Sequence, residues 1–263
     1  MNGTADTGGP AGIMGAVPLV FANRGAAAEH PEHTAAAYRT ALAVGADGIE
    51  CDVRLSRDGK LICIHDGRID RTSDGRGWVS RMDVALLDTF SWGPGSEGVL
   101  TLERFLDIAL AAPRPVRLLI EAKHPVRPAG AVERELAAVL EHRGLAGQPR
   151  NDGHTVTIMS FSAAALRRMR GLTPALPLVY LVERRLAGLT LGLLPAGVDT
   201  IGLDVALVRR EPEIVERYHQ RGHTVYVWTV NDPADIELCL IAGVDGLITD
   251  DPRGVLGVLG RTG

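Results

Sequence analysis

A chain of 263 residues is long enough for one sizeable α/β domain or two small ones. Hydrophobic residues make up 46% and aromatics only 4%, so a core would be built from Leu, Val, Ile and Ala rather than stacked rings. The formal net charge of −4 is spread along the chain without a basic stripe, which argues against nucleic acid as a partner.

The chain opens on MNGTADTGGPAGIMGA (1–16), a stretch of small residues with no basic region ahead of an apolar one. It predicts a flexible tail and not a signal peptide, followed by a single domain over 17–263. No run approaches the roughly 20 apolar residues of a membrane span. Cys51, Cys63 and Cys239 are odd in number and lack metal-type spacing, which fits buried thiols in a reducing compartment and a cytoplasmic location.

Nine short apolar runs then follow in order. They are PLVFA (18–22), ADGIECDVRL (46–55), LICIHD (61–66), RLLIEAK (117–123), TVTIMSF (155–161), LPLVYLV (176–182), DTIGLD (199–204), HTVYVWTV (223–230) and VDGLITD (244–250). Several alternate little, as parallel strands covered on both faces do. Helical patterns occupy 33–45, 131–144, 162–171, 211–222 and 232–243, most closing on a glycine. Strand and helix alternating at this spacing predict an α/β fold, a (β/α)8 TIM barrel. A GxGxxG turn after the first strand is absent, which weakens a dinucleotide-binding alternative. One strand is surplus to eight. The loop SRDGK (56–60) is too short for a parallel crossover, so the runs around Asp52 and His65 should form a hairpin with those two residues as cross-strand neighbours. Residues 67–102 lack periodicity and are expected as an irregular excursion over the barrel mouth, after the third strand.

The chemistry concentrates at strand ends. Glu50 and Asp52 in GIECDV are two apart and project to one face. Two carboxylates in an apolar strand repel each other, and a hard divalent cation removes that penalty; taken alone, the pair reads equally well as solvated acids near a strand end. IEAKHP adds Glu121 and, on the same face, Lys123, a third carboxylate and a candidate phosphate-binding cation. His65 closes another apolar strand, where an imidazole near a carboxylate-bound cation can act as general acid or base.

The motifs PEHT (31–34), GADGIECDV (45–53), RDGKLICIHD (57–66), RTSDGRGWV (71–79), TLERFL (101–106), IEAK (120–123), SF (160–161), VWTVND (227–232) and GVDGLITDDP (243–252) strongly resemble the glycerophosphodiester phosphodiesterases, metal-dependent TIM barrels of the phospholipase-C-like type. The likeness runs in order from about residue 18 to 252. It implies cleavage of a small-molecule glycerophosphodiester to glycerol 3-phosphate and an alcohol. By position it implies Glu50, Asp52 and Glu121 as ligands of Mg²⁺ or Ca²⁺, His65 as one of two catalytic histidines, Arg24 and Lys123 at the phosphate, and Trp228 at the same mouth.

One position departs from the family. Its first strand ends in His-Arg-Gly, with the second proton carrier, whereas this chain reads Asn23-Arg24-Gly25. An amide exchanges hydrogen bonds but does not ionise in the working pH range. The family's Pro-Glu-Asn-Thr is here Pro31-Glu32-His33-Thr34, so His33, or His30 beside it, is a candidate substitute. The sequence thus supports an impaired phosphodiesterase, with a non-catalytic barrel that binds phosphodiester or phosphate ligands as the alternative. A third option, a phosphodiesterase of larger lipids, would need exposed apolar groups at the mouth, for which Trp78, Phe90 and Trp92 are candidates, though an ordinary packed cap explains them as well.

Overall fold

All nine apolar runs carry a strand: β1 (Leu19–Ala22), β2 (Gly48–Leu55), β3 (Leu61–Cys63), β4 (Arg117–Ala122), β5 (Thr155–Ser160), β6 (Leu178–Val182), β7 (Thr200–Asp204), β8 (Thr224–Trp228) and β9 (Gly246–Thr249). The computed structural model describes residues 17–125, 128–147, 152–184 and 191–261; the expected tail over 1–16 lies outside them. The sheet order β1-β9-β8-β7-β6-β5-β4-β2 closes through β1–β2 pairing into a barrel of parallel strands. β3 is the surplus strand. It pairs antiparallel with the upper end of β2, Val53 opposite Cys63 and Leu55 opposite Leu61, while the lower end of β2 pairs with β1. The hairpin register therefore sets Ile64 against Asp52, with the Ile64 N–H donating to the Asp52 carbonyl at 3.0 Å. His65 lies one residue further on, not directly opposite as the hairpin argument expected.

Helices pack around the barrel: α1 (Ala35–Ala43), α2 (Val84–Leu87), α3 (Leu102–Leu110), α4 (Ala131–His142), α5 (Ala163–Leu172), α6 (Val205–Arg210), α7 (Glu213–His219), α8 (Pro233–Ala242) and α9 (Pro252–Val258). The sequence patterns missed α2, α3, α6 and α9. α3 starts where Thr101 accepts a hydrogen bond from the Arg104 N–H. α6 follows β7 with no loop at all, because Asp204 ends the strand and caps the helix at once. α9 contains Gly254 and Gly257, which blur a helical pattern.

Inside the barrel, alternate residues of the strands form a small apolar plug of Phe21, Leu119, Met159, Val179, Leu181 and Ile248. Two glycines make room for its rings. A Cβ at Gly48 would stand 2.4 Å from the Arg117 carbonyl oxygen and 2.6 Å from the Phe21 ring, and one at Gly246 would stand 2.7 Å from the Tyr226 ring. The excursion after β3 is better organised than expected. It holds a 3₁₀ turn (Val79–Arg81), α2 and its own core of Ile62, Ile64, Ile69, Val79, Leu87, Trp92 and Val99. Trp92 is buried there and donates its indole N–H to the Leu87 carbonyl at 2.9 Å, so it is packing and not a lipid-facing rim. Among the described residues no helix is long and apolar enough to cross a membrane.

The Gly48 contacts are with backbone and a buried ring, neither of which can give way. Gly48→Ala should lower unfolding stability by about 1–3 kcal/mol, read as a reduced urea midpoint at unchanged slope.

Candidate metal and phosphate site

The alternation that fills the barrel with apolar side chains below puts carboxylates above. Glu50 and Asp52 face inward from β2, and the β2–β4 register sets Asp52 directly against Glu121. All three are buried, and one oxygen from each lies within 4.8 Å of the others. Lys123, just past β4, reaches Glu121 Oε1 at 3.0 Å and Asp52 Oδ1 at 3.3 Å. Arg24, just past β1, brings its Nε to 3.1 Å from Asp52 Oδ2, and its main-chain N–H donates to Glu50 Oε2 at 3.0 Å.

The three acids are not treated alike. Burial would raise Asp52, but the hydrogen bond from His33 and the charges of Lys123 and Arg24 outweigh it and hold the carboxyl well below its ordinary value. Burial and the Asp52 charge push Glu50 well above the carboxylate range, against a smaller pull from Arg24. The same two causes push Glu121 up to about 8 despite Lys123. Three converging oxygen donors, two of them short of positive charge, fit a hard divalent cation.

The site residues line a cavity of about 70 Å³ at the C-terminal mouth of the barrel, a volume on the scale of one phosphate group. Asn23, Arg24, Glu50, Asp52, His65, Glu121, Lys123 and Trp228 all border it. The Nδ1–H of His65 donates to Asp66 Oδ1 at 2.8 Å, and among the described residues Nε2 has no hydrogen-bond partner. Burial lowers the His65 pKa, partly opposed by Asp52. Trp228 donates its indole N–H to the Gly202 carbonyl at 3.0 Å and meets Phe161 edge to face at 5.4 Å between centroids. Asn23 donates from Nδ2 to Asp250 Oδ1 at 2.8 Å.

His33 does not join them. Its Nε2–H donates to Asp52 Oδ2 at 3.0 Å, and Nδ1 shares a hydrogen bond with the Tyr38 hydroxyl at 2.8 Å. The ring is buried, with both nitrogens engaged, so the expectation that His33 replaces the missing proton carrier does not fit its position. His30 is turned away as well, with Nε2 hydrogen-bonded to the Thr40 hydroxyl at 2.8 Å, though it borders an outer cleft on the Asn23 side.

Sequence reasoning missed several residues here. Asp66 orients His65. Arg71 holds Asp66 at 2.7 Å and Glu32 at 2.6 Å, and Glu32 in turn meets Arg24 at 3.3 Å. These ion pairs link the loop after β1 to the excursion. Phe161 adds an apolar wall and carries Lys123 5.7 Å above its ring centre. Arg54 was detectable from spacing, since it stands two beyond Asp52 on the same face.

The raised Glu121 makes the stability of the cation-free protein depend on pH. Between pH 7 and 8 an unfolded chain has already lost this proton, whereas the folded, cation-free protein still releases it. The folded state therefore binds more protons, and stability falls with rising pH. The loss from this group is about 1 kcal/mol across that interval. Urea unfolding should show it for the wild type and not for Glu121→Gln. Added divalent cation should stabilise the protein more at pH 8 than at pH 7, because it binds the ionised carboxylates.

The comparisons agree with this architecture. Residues 24–253 match the model of the glycerophosphoryl diester phosphodiesterase family. A Mycobacterium tuberculosis protein described as a probable glycerophosphodiester phosphodiesterase 1 is 41% identical, covering 91% of this chain and 92% of its own. A Bacillus subtilis protein described as a glycerophosphodiester phosphodiesterase is 34% identical, covering 89% of this chain and 84% of its own. Among solved structures, an Oleispira antarctica phosphodiesterase in complex with the product sn-glycerol-3-phosphate superposes with a TM-score of 0.78 at 23% identity, covering 92% of this chain and 97% of that one. A closed eight-stranded barrel, an acidic cluster at its mouth and relatives of this similarity make the chain a member of the glycerophosphoryl diester phosphodiesterase family.

Proposed function

We propose that this protein hydrolyses glycerophosphodiesters to glycerol 3-phosphate and an alcohol, with Mg²⁺ or Ca²⁺, at a rate reduced by Asn23. The observation that carries the reading is one small cavity bordered by three buried carboxylates, two cations and an oriented imidazole. The names of the relatives support it.

Glu50, Asp52 and Glu121 would hold the cation, which supplies positive charge against a phosphate oxygen when bound. With their carboxylates so engaged, Lys123 and the part of the Arg24 guanidinium not held by Glu32 can take the remaining phosphate oxygens and the charge that builds on them. His65, its tautomer set by Asp66, offers Nε2 for proton transfer on one side of phosphorus. Trp228 and Phe161 wall the cavity and exclude water from its apolar side.

Asn23 stands where the family resemblance expects the second proton carrier. With Nδ2 given to Asp250, its amide keeps Oδ1 and a second N–H to orient a hydroxyl or water, but neither moves a proton. Losing one general acid or base lowers a rate by roughly 10²–10⁴-fold. Slow turnover on an intact binding site is the result.

A turnover assay on glycerophosphocholine and related diesters with Mg²⁺ or Ca²⁺ tests this. The wild type should release glycerol 3-phosphate slowly, Asn23→His should raise kcat by about 10²-fold or more, and His65→Ala should abolish release. If no diester is cleaved by the wild type or by Asn23→His with either cation, the proposed activity fails and a ligand-binding barrel remains.

A further inference from the structure

Two clefts flank the phosphate cavity, and their charges differ. The one on the Asn23 side, of about 570 Å³, is bordered by Glu32, Asp250 and Asp251 as well as Arg24. The other, also of about 570 Å³, opens beyond Lys123 between β2, α4 and the excursion. Its described lining includes Arg54, Arg57 and Lys123 and no carboxylate. The first shares Asn23, Arg24 and Thr229 with the phosphate cavity and the second shares Lys123, so a phosphate held there would have one cleft on either side. Amides and carboxylates suit the hydroxyls of a neutral polyol. The cationic cleft suits something else.

Arg54 is the decisive group. It continues the Glu50–Asp52 stripe on β2 out of the barrel, and its Nε donates to the His65 carbonyl at 2.8 Å. Among the described residues, no carboxylate lies within ion-pair distance of its guanidinium, and its terminal nitrogens have no hydrogen-bond partner. It is partly buried on the wall of the cleft. A guanidinium whose terminal nitrogens face a cleft without a carboxylate partner is suited to take a ligand anion. The other cations near this wall are already spent: Arg57 pairs with Asp83, and Arg68 pairs with Asp70 while covering the Trp78 ring at 5.4 Å. That stacking also sets a positive charge on the aromatic surface a quaternary ammonium would seek.

We infer that the cleft lined by Arg54 receives the alcohol arm of the diester and that Arg54 selects alcohols that carry an anion, a second phosphate above all. The inference rests on the proposed hydrolysis for its substrate, but not for its test. The volume accommodates a phosphorylated polyol, and Arg54 meets the distal anion in the planar two-point manner that phosphate allows.

The experiment compares glycerophosphoinositol 4-phosphate, glycerophosphoinositol and glycerophosphocholine as substrates. The expected order of kcat/KM places the phosphorylated arm first by about tenfold or more, the effect of one charge-assisted hydrogen bond. The preference should shrink with added salt. Arg54→Met should reduce the ratio toward one, and Ser80→Asp, at an exposed position on the same wall, should reverse it. Calorimetric binding of the three diesters to His65→Ala reads the same ratio without turnover, so failure of the reaction and failure of the preference are separable. Equal or better use of glycerophosphocholine, or an Arg54→Met loss that is the same for all three diesters, overturns the inference. The latter outcome would make Arg54 a support of His65 only.

Discussion

Everything at the mouth of this barrel depends on burying three carboxylates together. Strand alternation brings Glu50 and Asp52 to one face, and the β2–β4 register lays Glu121 against Asp52. Left alone, three such groups would neutralise themselves by holding protons. The chain answers by gathering Arg24, Lys123 and His33 around Asp52, which stays ionised, and by leaving Glu50 and Glu121 under-compensated. A fully paired cluster would be stable and inert. This one is half paired, with carboxylate oxygens still short of positive charge where a cation would bind.

The loop between β1 and α1 is shaped to make that arrangement hold. Arg24 and His33 both sit in the left-handed backbone region, with φ of 55° and 58°. Non-glycine residues there cost about 1–3 kcal/mol each unless the surroundings impose the geometry. Here each is fixed twice. Arg24 is held by its N–H to Glu50 and its guanidinium at Asp52, and His33 by its N–H to the Arg24 carbonyl and its ring at Asp52 and Tyr38. The strain therefore binds the loop to the acids. Glu32, carried in the same loop, then reaches Arg71, and Arg71 reaches Asp66 beside His65. The position of the imidazole thus depends on a loop two motifs earlier in the chain.

What could be read from the sequence was what depends on periodicity. Buried apolar runs marked the strands, and alternation placed Glu50 with Asp52 and Glu121 with Lys123 on single faces. The hairpin followed from a loop too short to cross over, yet its register did not, because Ser56 and Lys60 pair across the turn and fix the offset locally. Helix α6 was hidden because Asp204 is both strand end and helix cap. His33 illustrates a different limit. Its type suggested proton transfer, but its role comes from a left-handed backbone, a position at which His and Asn are enriched over other side chains. The residue the family expects there, asparagine, meets the same conformational demand, which is why the substitution says little about catalysis.

Asn23 is the opposite case. It ends β1 beside the end of β9, with its N–H on the Thr249 carbonyl at 2.7 Å and its amide on Asp250. Asp250 is held from the far side by the Asn231 amide at 2.8 Å, so its carboxylate cannot swing away. A histidine at position 23 would find a fixed acceptor already in place, as His65 does in Asp66. The acceptor that would orient a ring at this position is thus present, while asparagine offers no ionisable group. On the proposed reading such a change would remove proton transfer while leaving the acids, Arg24 and Lys123 undisturbed, because none of their contacts passes through the Asn23 side chain. The departure from the family pattern is therefore expected to act on the rate of the chemical step and not on the affinity for metal or phosphate.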